Sequence, residues 1–262
     1  MNIFQQFLYS LYSPKTIAKF RFQKIGKVIL YVFFLMFIVS IPPTIILGTS
    51  ISTFLEKTEL HLQESIPDFE IVNGVLQSEQ TDPIIIEEDN EYIIFDSTGE
   101  LTVHDLDEYD TVLAILERET IFITEGVEYP LNYQQLNLNI NKAELVDLIS
   151  NVIGIMPLLI GLLALILYVY LAGSKFVGIF ALSLLAMVMN SNRKTNLRYR
   201  QIWILSAYTV TLPTIIFALF DSLSIGIPYS FTIYWFIAFV MLLFVFKAIP
   251  VPKNHIDDSE EK

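Results

Sequence analysis

Val28–Leu47 reads VILYVFFLMFIVSIPPTIIL, twenty residues without a charge. At about 1.5 Å of rise per residue, such a helix covers about 30 Å, the thickness of the hydrocarbon layer of a bilayer. Four more uncharged runs follow: Leu148–Ser174, Phe176–Asn190, Gln201–Phe220 and Ser222–Phe246. One such run on its own is ambiguous with a buried core helix, but their recurrence in a single chain is not. The fold class expected is an α-helical integral membrane protein with about five membrane-embedded helices and an inserted, mainly-β extracytoplasmic domain. The first run reads as an uncleaved anchor rather than a signal peptide, because a long basic segment precedes it and no small-x-small cleavage site follows. Pro42 and Pro43 are expected to kink or stop that helix.

Composition agrees with this reading. The 262 residues are 53% hydrophobic and 17% charged, with a mean hydropathy of +0.54, well short of the roughly one quarter charged residues of a soluble domain. Both an ordinary soluble enzyme and a disordered chain are disfavoured. There is no cysteine, which removes disulfides, thiolate chemistry and cysteine zinc sites. The three histidines, His61, His104 and His255, are too scattered in sequence to suggest a metal cluster.

The net charge of -12 conceals a partition. Residues 51–149 hold 23 acids and 3 bases, and the rest of the chain holds 5 acids and 13 bases. Bases gather at Lys15, Lys19, Arg21, Lys24 and Lys27, and again at Arg193, Lys194, Arg198 and Arg200. No basic stripe is long enough to track a phosphate backbone, and the acidic block repels one, so no nucleic-acid partner is expected. The organisation read from these patterns is a cytoplasmic amphipathic and basic segment at 1–27, a first span at 28–50, and an acidic β domain at 51–149. A helical bundle follows at 150–248 (segments 150–172, 176–190, 201–220 and 226–247), then a polar tail at 249–262.

Ahead of the first span, Phe4, Phe7, Leu8 and Leu11 follow helical spacing and share one face. Ser13-Pro14 starts another helix, with a capping hydroxyl and then a proline in the first turn. The five bases of this region suit the anionic inner leaflet as a partner. Packing of these helices on the spans is the other reading, and the two are compatible. In 51–149, Ile51–Ser65 continues the first span as a polar helix. Asn73-Gly74 marks a hairpin, Asp89-Asn90 a second, and Glu117–Glu119 joins a third β pair. Asp96-Ser97-Thr98-Gly99 reads as a hairpin turn, and Val127–Leu136 as a last strand. Asn141 with Glu144 caps the next helix.

Lys and Arg in short loops stay on the cytoplasmic side. The N-terminus, the 190–200 loop and the C-terminal end are therefore expected inside a bacterial cell membrane, with 51–149 outside. That requires one net crossing between 150 and 190, yet two apolar segments lie there, split at Gly173-Ser174-Lys175. A re-entrant or half-inserted helix at 176–190 is favoured over a full crossing.

Two stretches carry a resemblance. They are Ser13-Pro14-Lys15-Thr16-Ile17-Ala18-Lys19-Phe20-Arg21 and Arg198-Tyr199-Arg200-Gln201-Ile202-Trp203, the latter followed by Ser206-Ala207-Tyr208-Thr209 and Leu212-Pro213. With one domain inserted after the first span, the chain resembles an uncharacterised family of multi-span membrane proteins from Firmicutes, some of whose members are labelled maltodextrin utilisation protein. It is distantly similar in layout to the Yip-type membrane family, from which the large β insert departs. The resemblance implies a link to sugar uptake, without a reaction or a ligand.

The candidate functional residues are Arg198, Arg200, Tyr208, Pro213 and Asp221. Asp221 sits at the outer end of a span, and ionisable groups within membranes tend to be functional. A solvated cap is its plainer reading. Arg198 and Arg200, with Asn190, Asn192 and Arg193, read as a basic loop on anionic lipid. Tyr208 and Pro213 set a kink, with Thr209 and Thr211 near enough to satisfy the freed carbonyl. Asp105, Asp107, Glu108 and Asp110 lack the glycine and the distal Glu of a calcium loop, so neither a metal nor a cofactor is expected. No HExxH, GxSxG, Walker A or Rossmann pattern occurs. The function expected is a non-enzymatic membrane sensor or accessory protein with a membrane-protein partner. A scaffold, a transporter subunit and an intramembrane enzyme are the rival classes. The transporter is disfavoured because the runs hold almost no polar groups beyond Ser, Thr, Asn and Tyr, and the enzyme because no catalytic motif or pair of carboxylates in a membrane cavity is evident.

Overall fold

The computed structural model describes residues 1–88, 90–124, 126–191 and 197–250. The chain forms two compact units, one from 1–48 with the described residues from 159 onward, the other from 49–158.

Seven helices are described: α1 (Ile3–Tyr12), α2 (Pro14–Phe20), α3 (Ile25–Glu64), α4 (Lys142–Ser191), α5 (Tyr199–Thr209), α6 (Thr211–Ser222) and α7 (Ser230–Lys247). Four helical stretches are long and apolar enough to cross a membrane: Ile25–Glu64, Lys142–Asn190, Tyr199–Ser222 and Ser230–Lys247. This is compatible with a membrane protein carrying a β unit.

The structure corrects two sequence readings of these helices. Gly173-Ser174-Lys175 does not divide α4, which runs unbroken for 50 residues, so the described residues hold no separate helix at 176–190. A lone helical glycine costs only about 1 kcal/mol against alanine, and the flanking Leu, Ala and Phe residues outweigh it. Pro42 and Pro43 do not end α3 either. Around the amides they lack, the Ser40 hydroxyl donates to the Phe37 carbonyl (2.9 Å) and the Thr44 hydroxyl to the Ser40 carbonyl (2.7 Å).

In the helical unit, α1 is capped reciprocally. The Gln5 amide donates to Asn2 Oδ1 (2.8 Å), and the Asn2 amide to Gln5 Oε1 (3.3 Å). Pro14 opens α2 as expected, but the Ser13 hydroxyl pairs with that of Thr16 (2.8 Å) rather than capping the backbone. The orientation of α1 is unusual. Gln6 and Ser10 are its fully buried residues, while Phe4 and Leu8 are 66% and 54% exposed. Of the five bases, Lys15, Lys19 and Lys24 are exposed. Arg21 lies over the Phe22 ring and donates to the Ala18 carbonyl, and Lys27 donates to the Met1 carbonyl (2.8 Å). Residues of α2, α3, α4, α5 and α7, among them Ile17, Val32, Leu35, Leu182, Ile204 and Leu242, form the apolar core of this unit.

The β unit has eight strands: β1 (Phe69–Val72), β2 (Val75–Ser78), β3 (Ile84–Glu88), β4 (Glu91–Phe95), β5 (Thr111–Ile115), β6 (Glu119–Thr124), β7 (Val127–Asn132) and β8 (Ile140–Asn141). They form a three-stranded sheet ordered β2-β1-β8 and a five-stranded sheet ordered β3-β4-β5-β6-β7. The β1–β2 hairpin turns on Asn73 (φ 53°) and Gly74 (φ 80°), the two left-handed positions a tight hairpin needs. A Cβ on Gly74 would also lie 2.9 Å from the Gln134 backbone. Asn141 and Glu144 cap α4 reciprocally (2.9 and 3.1 Å).

The turn read at 96–99 is different in kind. β4 and β5 are parallel, with Phe95 opposite Ile115, so 96–110 is a crossover that carries a single 3-10 turn at Val103–Leu106. The connection is organised by Asp96, which is fully buried. Its carboxylate accepts the amides of Thr98 and Leu101 (both 2.8 Å) and the Thr98 hydroxyl (2.6 Å). Burial alone would raise the Asp96 carboxyl. The Thr98 hydroxyl and the Leu101, Thr98 and Gly99 amides outweigh that and hold it below its ordinary value. β7 is an edge strand with Pro130 opposite Ile121 on β6.

Candidate functional site

In the helical unit the apolar sequence leaves few polar side chains, and those of the interior gather where one helical stretch is interrupted. Val210 separates α5 from α6. Pro213 lies three residues on and cannot donate to the Thr209 carbonyl one turn back. The expected kink at Pro213 therefore takes the form of a break. Thr209 and Thr211 do not satisfy the freed carbonyl. The Thr209 hydroxyl donates to the Ser206 carbonyl (2.9 Å), and the Thr211 hydroxyl pairs with that of Tyr31 (2.6 Å).

One side of the break faces a buried polar network. The Tyr208 hydroxyl donates to Gln6 Oε1 (2.6 Å), and Gln6 Nε2 donates to the Met1 carbonyl (3.1 Å). The Ser10 hydroxyl returns to the Gln6 carbonyl (2.6 Å). The Tyr208 ring lies between those of Tyr31 and Phe20, with centroids 4.4 and 4.6 Å away. Gln6, Ser10, Tyr31, Tyr208 and Thr211 are all fully buried. These contacts tie α1, α2 and α3 to the α5–α6 junction. The network holds amide and phenol groups but no carboxylate, imidazole or amine, so it suits positioning better than proton transfer.

Beyond the break lies a cation. The Lys175 ammonium donates to the Thr214 hydroxyl (3.0 Å) and to the Tyr234 hydroxyl (2.9 Å), and those two hydroxyls are 3.0 Å apart. Thr214 in turn donates to the Val210 carbonyl (2.6 Å), inside the interrupted turn. Lys175 is thus fixed by α6 and α7 and sits beside a cavity of about 300 Å³ whose lining includes Asp221, Phe231 and Trp235. Lys175 lies between the uncharged runs Leu148–Ser174 and Phe176–Asn190, and the unbroken α4 carries it within one continuous apolar helix. Lys175 is the one charge between Asp147 and Arg193. A single lysine between two uncharged runs is the sequence signal for it.

Of the other candidates, Asp221 is exposed and shares the Lys175 cavity. Arg198 begins α5, its amide accepted by Gln201 Oε1 (3.0 Å). Arg200 donates to the Gln23 carbonyl (3.1 Å). Neither arginine joins Tyr208 and Pro213 in the interior. Asn190 donates to the Leu197 carbonyl (3.1 Å), and Asn192 and Arg193 lie outside the described residues.

The β unit has a cavity of its own, about 270 Å³, walled by Phe69, Ile71, Leu113, Ile115, Leu138 and Leu145 among others. Its polar edge is Tyr133, whose hydroxyl pairs with that of Thr120 (2.9 Å) and donates to the Leu116 carbonyl (3.1 Å). Burial pushes the Tyr133 phenol up to about 12. The Thr120 contact opposes this shift and the charge of Glu119 adds to it. The acids expected to form a solvated loop do so: Asp105 accepts the Thr102 amide and hydroxyl (both 2.7 Å), which lowers its pKa. No cluster of His, Asp and Glu suited to a metal occurs among the described residues.

The family described as "Protein of unknown function (DUF1189)" matches residues 4–246. The chain belongs to this family. Comparison with curated proteins and with solved structures gives no match. The DUF1189 match covers both units, including Lys175, Thr214, Tyr234 and the crossover at Asp96.

Proposed function

We propose that the chain is a multi-pass cell-membrane protein of non-enzymatic role, a sensor or accessory protein whose β unit faces outside and binds a small apolar ligand. The observation that carries this reading is the β unit's own cavity, with its almost wholly Leu, Ile and Phe walls. Such walls suit an acyl or aromatic group rather than an oligosaccharide. A link to maltodextrin uptake would then run through a partner transporter, not through sugar held in this cavity.

The unbroken α4 supports the orientation. One crossing there lets both groups of bases, at 15–27 and 193–200, lie inside with Lys247, and the acid-rich unit lie outside, in agreement with the charge rule. Because the chain has no cysteine, Glu100→Cys and Lys194→Cys report sidedness directly. In intact cells an impermeant thiol reagent should label the first and spare the second, and the reverse pattern refutes the orientation. For the ligand, hydrogen exchange of the full chain in nanodiscs should slow at 69–71 and 113–115 with octanoate but not with maltotetraose. No change with octanoate sinks the apolar-ligand reading.

A transporter subunit is the second reading, favoured by the interrupted helix and the Lys175 ammonium beside it. A scaffold of the Yip type has no comparable support. Flux of labelled substrates into proteoliposomes separates the transporter reading from the first.

A further inference from the structure

The cavity at Lys175 combines features that a merely structural lysine does not need. Its ammonium has three donors; Thr214 and Tyr234 take two, and no described residue takes the third. The Tyr234 ring also lies 4.7 Å below the cation, and Phe217 and Trp235 pack on that ring at 5.9 and 6.0 Å. Thr214 and Asp221 are seven residues apart on α6. Seven residues return to the same helix face about 10 Å further along. One cavity therefore presents a positive group at one level and a carboxylate two turns away. The same cavity is lined by Phe217, Phe231, Tyr234 and Trp235, aromatic side chains of the kind that attract cations, and Met36, Val39 and Leu171 supply apolar wall.

An anion alone would meet Asp221, and a cation alone would meet Lys175. A molecule carrying both charges satisfies the two together. We propose that this cavity binds the head of a zwitterionic amphiphile, with its acidic group on the Lys175 ammonium and its amine toward Asp221 and the Trp235 and Phe231 rings. Its apolar chain lies along Met36 and Leu171. The proposal shares the membrane placement argued above and is independent of the ligand assigned to the β unit. The same head chemistry occurs in a membrane lipid and in the free phosphoamine, and the test separates the two.

The full chain in dodecyl maltoside is titrated with four probes while tryptophan emission is followed. The probes are lysophosphatidylethanolamine, lysophosphatidylglycerol, O-phosphoethanolamine and a neutral monoacylglycerol. Trp235 lines the cavity, so Trp235→Phe identifies the part of the signal that arises there. Lysophosphatidylethanolamine should saturate at the lowest concentration, with lysophosphatidylglycerol severalfold weaker and the monoacylglycerol without effect. If O-phosphoethanolamine binds as tightly as the lysolipid, the source is the free phosphoamine; if it binds far more weakly, the source is a lipid. Lys175→Gln should weaken the zwitterion on the order of tenfold or more, as loss of a charge-assisted contact does. Lys175→Arg should retain binding. Asp221→Asn, at an exposed position, should leave binding in place and erase the preference for ethanolamine over glycerol. That ratio carries the test if Lys175→Gln fails to accumulate. Equal binding by wild type and Lys175→Gln overturns the proposal, as does an equal response to the neutral probe. An ethanolamine preference untouched in Asp221→Asn overturns the assignment of the amine.

Discussion

The two units solve the burial problem in opposite ways. In the β unit the buried residues are mainly apolar, such as Phe95, Leu106, Val112 and Ile121, Asp96 being buried among its own hydrogen-bond donors, and Glu70, Glu88 and Glu91 stay at the surface. In the helical unit Gln6, Ser10, Ser206, Thr209 and Thr211 are fully buried, while Leu165, Val177, Val188 and Phe231 are between 57% and 76% exposed. Polar atoms inside and apolar atoms outside are what a hydrocarbon solvent favours. One chain thus carries two burial rules, a difference compatible with a helical unit surrounded by lipid and a β unit in water.

That contrast can be broken most directly by placing the same charge on an exposed apolar position in each unit. Leu165→Asp should destabilise the helical unit by about 3 kcal/mol if lipid surrounds it. Val127→Asp, at a comparably exposed site on β7, should change stability by less than about 0.5 kcal/mol. Thermal unfolding in nanodiscs reads both, and a harmless Leu165→Asp would refute a lipid-facing surface. Next, Asp96→Ala should cost the β unit roughly 3 kcal/mol by orphaning the Thr98 and Leu101 amides, with hydrogen exchange in α5–α7 unchanged.

The sign of the pH response sharpens the same comparison. The depressed Asp96 carboxyl gives stability that is present above its unfolded pKa and lost as pH falls through its folded value. Asp96→Asn should blunt this acid sensitivity, which belongs to the β unit alone. The raised Tyr133 phenol acts at the other end. Its contribution is complete below the unfolded value of about 10 and disappears as pH climbs to about 12. The stability lost over that window, read from hydrogen exchange of the β5–β7 amides, should be on the order of 3 kcal/mol, and Tyr133→Phe should remove the dependence. A smaller loss than these, about 1 kcal/mol, is expected at Tyr208→Phe from the missing Gln6 contact. A double-mutant cycle with Gln6→Leu measures it, and absence of coupling would mean that the bond does no stabilising work.

Local chemistry made parts of this architecture readable in advance. Asn73-Gly74 announces its hairpin because few other residues accept two successive left-handed conformations, and Asn141 with Glu144 announces a helix start because the two side chains satisfy each other's amides. The pairing of β4 with β5 was not readable. Turn residues at 96–99 look alike whether the chain reverses or crosses over, and only the parallel register of β4 with β5 distinguishes the cases. Among the residues of the candidate site, Tyr208, Pro213 and Asp221 stand out in the sequence only for the kink and the span end they mark. Gln6 was hidden because a polar residue on an amphipathic helix is expected to face out. Lys175 was hidden because a charge beside a glycine looks like a boundary, and its partners Thr214 and Tyr234 lie 39 and 59 residues away.

An open sheet margin with Tyr129 and Leu131 half bare invites neighbouring copies to add strands, most of all where proteins share a crowded plane. Pro130 sits in the middle of that margin and has no amide to offer. Any strand arriving from a second molecule would meet a missing rung at the centre of its ladder. One imino acid thereby makes this margin a poor template for strand addition.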